Sequence, residues 1–179
     1  MTRSATQRQP QPPALPVGVL ATITMDAAMI AAALIDRERF ESEKLAPEMI
    51  GRWVAAGCRG RWRHDDLGSA PPAAGETAIG MAAHYATGIS LTYGYFLLLR
   101  VSGLRSGLGK ASAFGAATAL LPFLVMYPAW GYGAFGLRDD DAARLARVML
   151  LGHTAFGVGI GVWAAALQRR RPRLLNPAE

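Results

Sequence analysis

Asp26, His84, Tyr127 and His153 interrupt stretches of this chain that are otherwise apolar. A carboxylate, two imidazoles and a phenol can exchange protons near neutrality, hold a metal ion, or hydrogen-bond between packed helices. His84 lies inside Gly75–Leu99, read GETAIGMAAHYATGISLTYGYFLLL and closed by Arg100. There Gly80, His84 and Gly88 fall at i, i+4 and i+8, a stripe of small residues on which another helix can approach closely. His153, Gly157 and Gly161 repeat the pattern further along. Both histidines are therefore expected to face protein. Asp26 falls near the middle of the apolar run Pro16–Ile35. An ionised carboxylate at mid-membrane costs about 2.5–3.5 kcal/mol on insertion scales, so Asp26 should be neutral, paired or hydrated, and a histidine is its obvious partner.

If the apolar runs cross a bilayer in alternation, these groups share one height. At a rise of 1.5 Å per residue, Asp26, His84 and His153 come to lie roughly 8–14 Å below the same face, with Tyr127 at a similar depth. Glu76 and Arg144, with Arg52 and His64 from the loop above, fall at the mouth of this layer. Three readings of the layer stand side by side. It is a structural lock of interhelical hydrogen bonds, each worth roughly 0.6 kcal/mol. It is a proton or ion pathway, since carboxylate–histidine chains relay protons. Or Asp26, His84 and His153 form a metal site, although no HExxH or similar local spacing is present. Paired histidines also suit a b-type haem, but no cofactor is implied by the residues themselves.

The elements that position these groups follow from where charge is missing. Of 179 residues, 51% are hydrophobic, and the charged ones collect in a few intervals, leaving four long runs almost free of charge. The expected architecture is all-α, a four-helix transmembrane bundle with spans near 16–35, 75–99, 111–135 and 148–167. Residues 1–15, rich in Gln, Pro and Arg, read as a disordered tail, and 169–179 as a basic C-terminal tail. A cleaved signal peptide is the rival reading of the first run, but Asp26 interrupts the short apolar core it would need. Between spans one and two, Asp36–Glu48 reads as a solvated continuation of the first helix. Pro47 then suits the first turn of a short helix carrying Ile50, Trp53 and Val54 on one side. That helix is read either as interfacial, lying along the membrane surface, or as a loop helix packed over the bundle. His64-Asp65-Asp66 reads as solvated charge.

The short turn Arg100–Lys110 makes helices two and three expected antiparallel neighbours. Pro122 and Pro128 predict a bend in the third span, and Tyr127, Trp130 and Tyr132 an aromatic belt at its end. Asp139-Asp140-Asp141 lacks calcium-loop spacing and reads as a solvated turn leading into the last helix.

Composition also excludes. The formal charge of +6 is scattered among loops with no basic stripe interleaved with aromatics, so nucleic acid is not an expected partner. A single cysteine, Cys58, allows no intrachain disulfide and no CxxC motif. No nucleophile elbow, P-loop or dinucleotide fingerprint speaks for an enzyme. The expected partners are the lipid bilayer and a second copy of the chain or another membrane protein. With an even number of spans, both ends fall on one side. Arg3, Arg8, the Arg100–Lys110 turn and the C-terminal arginines carry few acids among them, which favours an N-in, C-in arrangement.

A set of short motifs runs through the chain: Gly51-Arg52-Trp53, Arg59-Gly60-Arg61 with His64, Pro71-Pro72, Gly75-Glu76, His84-Tyr85 with Gly88, and Tyr127-Pro128 followed by Gly131 and Gly133. Ala21-Thr22 and Met25-Asp26 extend it toward the N-terminus, His153 and Phe156-Gly157 toward the C-terminus. In these the chain resembles a bacterial integral membrane family, domain-of-unknown-function family 2938, over about Gly18 to Leu167. The tail before Pro16 and the triple aspartate are outside the pattern. The resemblance implies a small multi-pass inner-membrane protein, of structural or accessory role or, in the alternative, a small transporter or proton-linked protein; no activity comes with it.

Overall fold

The computed structural model describes residues 12–40 and 45–175, with side chains as far as residue 169. Every regular element among them is a helix: α1 Ala14–Ile35, α2 Arg37–Phe40, α3 Pro47–Gly57, α4 Glu76–Ser102, α5 Leu108–Thr118, α6 Tyr127–Trp130 and α7 Ala142–Leu175. A π-helical turn, Pro122–Met126, joins α5 to α6, and a 3-10 turn, Ala134–Gly136, follows α6. Three stretches are long and apolar enough to cross a membrane, Ala14–Ile35, Leu108–Trp130 and Ala142–Arg169. The expected second span is α4, whose 27 residues reach about 40 Å. Its His84, three tyrosines, and run of Thr, Ser and Gly keep it outside that apolar set.

Boundaries shift from those expected. The tail assigned to residues 1–15 lies outside the described residues as far as residue 11, and Ala14 and Leu15 already belong to α1. The continuation expected after α1 is only the single turn α2, and residues 41–44 lie outside the described residues. The last helix starts at Ala142, six residues earlier than expected, and its backbone stays helical into the basic tail as far as Leu175. Residues 176–179 lie outside the described residues.

The helices pack in the spatial order α4, α1, α7, α5. Helices two and three of the expected bundle, α4 and α5, are thus not the close neighbours their short connection suggested. They meet mainly where Tyr95 stacks on Phe114, ring centroids 5.1 Å apart, and where the Tyr95 hydroxyl pairs with Ser106 at 3.2 Å. A short loop fixes only the two ends it joins; Gly115 of α5 is used against α7 instead. One core, of Val17, Ala21, Tyr95, Phe96, Leu99, Ala111, Phe156, Ile160 and Ala164, ties all four long elements together at the end nearer the termini.

The opposite end carries a cap. Met49, Leu67, Phe123, Tyr127, Trp130, Tyr132, Leu145 and Met149 bury one another there, with Ile50 and Trp53 packed alongside. α3 therefore packs over the bundle, burying Met49, Gly51 and Gly57 in protein, rather than offering its apolar side to a membrane surface. The expected aromatic belt is corrected by the same cap: Tyr127 and Trp130 are fully buried and Tyr132 is 7% exposed. The loop after α3 covers them and satisfies the end of α6. The N–H groups of His64 and Leu67 donate to the carbonyls of Ala129 and Trp130, at 2.8 and 3.0 Å. Gly131, at φ 98°, then turns the chain so closely under the Asp65 carbonyl that no side chain would fit.

The bend predicted from the two prolines takes a definite form. The regular helix α5 ends at Thr118, four residues before Pro122, because Pro122 has no N–H for the Thr118 carbonyl. The path resumes as a π turn in which the Tyr127 N–H reaches the Pro122 carbonyl five residues back.

Candidate functional site

Two helix interfaces carry the polar residues, and both are built on glycine. In the first, Gly18, Thr22 and Asp26 of α1, one turn apart, meet Thr92, Gly88 and His84 of α4, running the other way. A side chain at Gly18 would press on the Ile89 backbone and the Thr92 hydroxyl, and one at Gly88 would collide with the Thr22 hydroxyl. Each threonine donates back to the carbonyl four residues earlier in its own helix, Thr22 to Gly18 at 2.8 Å and Thr92 to Gly88 at 2.9 Å. Their hydroxyls are thus satisfied without a partner across the seam. The third rung is polar: His84 Nε2 lies 2.9 Å from Asp26 Oδ1, and the Tyr85 hydroxyl donates to Asp26 Oδ2, also at 2.9 Å. The imidazole and carboxylate keep 22% and 32% of their surface exposed.

In the second interface α7 lies against α5. A Cβ at Gly115 would strike the His153 carbonyl and the Gly157 backbone, and one at Gly157 the Ala111 carbonyl. One turn away, His153 Nδ1 is 2.7 Å from the Thr118 hydroxyl, which is itself 2.6 Å from the Gly115 carbonyl. The two histidine stripes that look alike in sequence thus serve different neighbours, α1 for the first and α5 for the second. α1 is also clamped to α7, where Met25 and Met29 cover Gly152 and the Trp163 indole donates to Thr24 at 3.1 Å.

Tyr127 stands apart from this layer. It is buried in the cap core, its hydroxyl 3.5 Å from the Leu145 carbonyl. Of the residues placed at the mouth, Arg52 and Glu76 meet. The guanidinium Nε and Nη2 donate to the two Glu76 oxygens at 3.0 and 2.9 Å, while Nη1 reaches the carbonyls of Leu67, Gly68 and Ala70. All three of its nitrogens donate, which pins α3, the loop and the first turn of α4 to one another. That turn stands in the cap, where Gly51 and Gly80 let the α3 and α4 backbones touch. The Arg52 guanidinium, helped by the Ala73 N–H at 2.8 Å, holds the Glu76 carboxyl down to about 2. Arg144 pairs with Asp141, three residues away, at 3.6 Å. His64 turns its ring to the Arg61 carbonyl at 3.2 Å. A polar cavity of about 600 Å³ opens in the cap between Glu48, Arg52, Asp66 and Arg138.

Tyr85 and Thr118 are absent from the sequence-derived set. Tyr85 is hidden by its position next to His84, since adjacent helical residues diverge by about 100° and the four-residue spacing passes over it. Thr118 sits one turn before Pro122, and only the unmatched acceptor created there marks it out. Among the described residues no group of three or more His, Cys, Asp or Glu side chains is placed to hold a metal ion, so Asp26, His84 and His153 do not converge as one would require. Chemically, the first interface can bind or exchange a proton between a carboxylate and an imidazole, and the second offers an imidazole fixed by a hydroxyl.

No curated protein and no solved structure matches the chain. A family model described as protein of unknown function, DUF2938, matches residues 15–168, which takes in every long helix and the whole cap. Covering both histidine interfaces and the Arg52–Glu76 staple alike, that match places the chain in the DUF2938 family.

Proposed function

We propose that this chain is a four-span protein of the bacterial inner membrane, with both ends cytoplasmic, whose role is structural or accessory. α4 is the fourth span: it is long enough and bears no charge between Glu76 and Arg100. Large apolar side chains that the packing leaves outside, among them Ile30, Leu34, Leu97, Leu98, Leu121, Leu124 and Val162, form the surface that lipid would cover. The end carrying the α4–α5 turn has Arg100, Arg105 and Lys110 without acids, while the cap mixes both signs, which supports placing the cap outside the cytoplasm.

The observation that carries the structural role is the ladder of Gly18–Thr92, Thr22–Gly88 and Asp26–His84. It is a continuous close contact whose polar rung is matched across the seam, which is how small and polar residues hold membrane helices together. The test compares Asp26→Asn and His84→Ala with the parent in detergent melts and in proton-flux assays on liposomes. The expected result is a lower melting temperature for both variants and no flux above empty liposomes for the parent.

A second reading, a proton-linked transporter, is favoured by the partial exposure of Asp26 and His84 and by the carboxylate–imidazole contact between them. Parental flux that both variants abolish at unchanged melting temperature would select it and reject the lock.

A further inference from the structure

Three segments of the cap form the polar cavity of about 600 Å³: α3, the loop that follows it, and the turn from Gly131 to Asp139. Its volume is that of a small-molecule site. The wall carries both signs of charge with carboxylates in excess, Glu48, Asp65, Asp66 and Asp139 against Arg52 and Arg138. Arg52 is committed to Glu76, which lies outside the wall. Glu48 and Asp66 accept from neutral donors, the Thr77 hydroxyl at 2.9 Å and the Gly68 N–H at 2.8 Å, so hydrogen bonding leaves both charges in place. The field is felt at Tyr132, whose phenol is pushed up to about 12 by burial and by the carboxylates of Asp66 and Asp139. Arg138 supplies the opposite sign. Its N–H donates to the Tyr132 carbonyl at 2.9 Å, and its methylene stem lies over Gly133, where a Cβ would come within 2.9 Å of Cγ. Among the described residues the guanidinium presented by that stem has no hydrogen bond or ion pair of its own.

We propose that this cavity binds a free amino acid with a cationic side chain, its carboxylate on Arg138 and its two cationic groups on the acids of α3 and the loop. A guanidinium accepts a carboxylate through two parallel hydrogen bonds, which a positioned stem makes directional. The acids are spread over α3, the loop and the turn, and among the described residues no three of them are placed to hold a metal ion. Spread charges suit two cationic groups separated by a methylene chain, and Met49 and the Tyr132 ring supply apolar wall for that chain. The site lies apart from both glycine seams and goes beyond the structural or accessory role, since it requires neither proton flux nor a particular orientation of the cap.

Isothermal titration calorimetry of the full chain in a nonionic detergent tests it, with lysine, cadaverine, glutamate and magnesium chloride as probes. Cadaverine is lysine without its carboxylate, and glutamate carries the opposite side-chain charge. Lysine should bind saturably and more weakly as salt is added, cadaverine about fivefold more weakly than lysine, and glutamate not at all. Arg138→Gln should weaken lysine by about fivefold and leave cadaverine unchanged or tighter, so that the two converge. Asp65→Asn and Asp66→Asn should weaken both, and Asn keeps an acceptor for the Gly68 N–H. Absence of saturable heat with lysine overturns the proposal, as does cadaverine binding as tightly as lysine to the parent. Both of those outcomes are read on the parent chain and need no variant to fold. An Arg138→Gln variant with parental melting temperature and unchanged lysine affinity also overturns it, and so does magnesium that displaces lysine at equal concentration, which would assign the cavity to a metal ion.

Discussion

The Thr22 hydroxyl fills the space in which Gly88 would carry a side chain, and this one relationship sets how closely α1 and α4 approach. The glycine is needed because the threonine is there. One turn of the same seam separates this contact from the one between Gly18 and Thr92, and one turn separates it from the Asp26–His84 pair, so displacing one rung disturbs the others.

Gly88→Ala should therefore destabilise the protein by about 1–3 kcal/mol, the usual cost of overfilling a packed seam. Adding Thr22→Ala removes the colliding oxygen and should restore part of the loss. A double-mutant cycle on detergent melts measures the coupling; additive effects would mean that the two residues do not touch.

Gly115 and Gly94 make a sharper contrast. A methyl group at Gly115 meets backbone atoms of His153 and Gly157, which have no rotamer to change, while one at Gly94 meets nothing within 4 Å. Gly115→Ala should lower the melting temperature clearly and reduce the yield of folded protein, and Gly94→Ala should leave both at the parental value.

In the cap, Arg52→Lys should cost nearly as much as Arg52→Ala. An ammonium cannot span both Glu76 oxygens and the three loop carbonyls at once. Arg144→Ala should change stability little, because its partner is exposed and local, a kind of pair worth roughly 0.3–0.5 kcal/mol. Melts of the three variants under one condition rank them.

The same pair predicts a pH dependence. Glu76 is held at about 2 in the folded protein against 4.5 for the free group, so its contribution is complete above about 4.5 and is lost as pH falls toward 2. The difference in melting temperature between the parent and Glu76→Gln should shrink steadily from pH 5 to pH 3. A constant difference would assign the staple to hydrogen bonding independent of charge.

Cys58 reports which side the cap occupies. It is the sole cysteine and is exposed at the end of α3. A membrane-impermeant maleimide should label it in intact spheroplasts; labelling only after lysis would place the cap in the cytoplasm and invert the orientation.

The helical class, the long apolar segments and the glycine stripes beside His84 and His153 could be read from residue order, because apolar runs, a rise of 1.5 Å per residue and four-residue spacing are local properties. The break in the third helix was equally local, written in two prolines that lack a donor. Neighbour choice was not local. Which helix fills the notch at Gly88 depends on Thr22, some 66 positions away in the chain, and the notch at Gly115 is filled by Gly157, 42 positions away. Tyr127, Trp130 and Tyr132 carry the composition of a membrane belt, yet they are buried because a loop more than sixty residues earlier folds back on the α6 carbonyls. Residue order therefore specified the helices and the small-residue stripes on them. Packing alone sent the two imidazoles into different seams and brought Tyr85 and Thr118 to them, because such contacts exist only once distant surfaces have matched in shape.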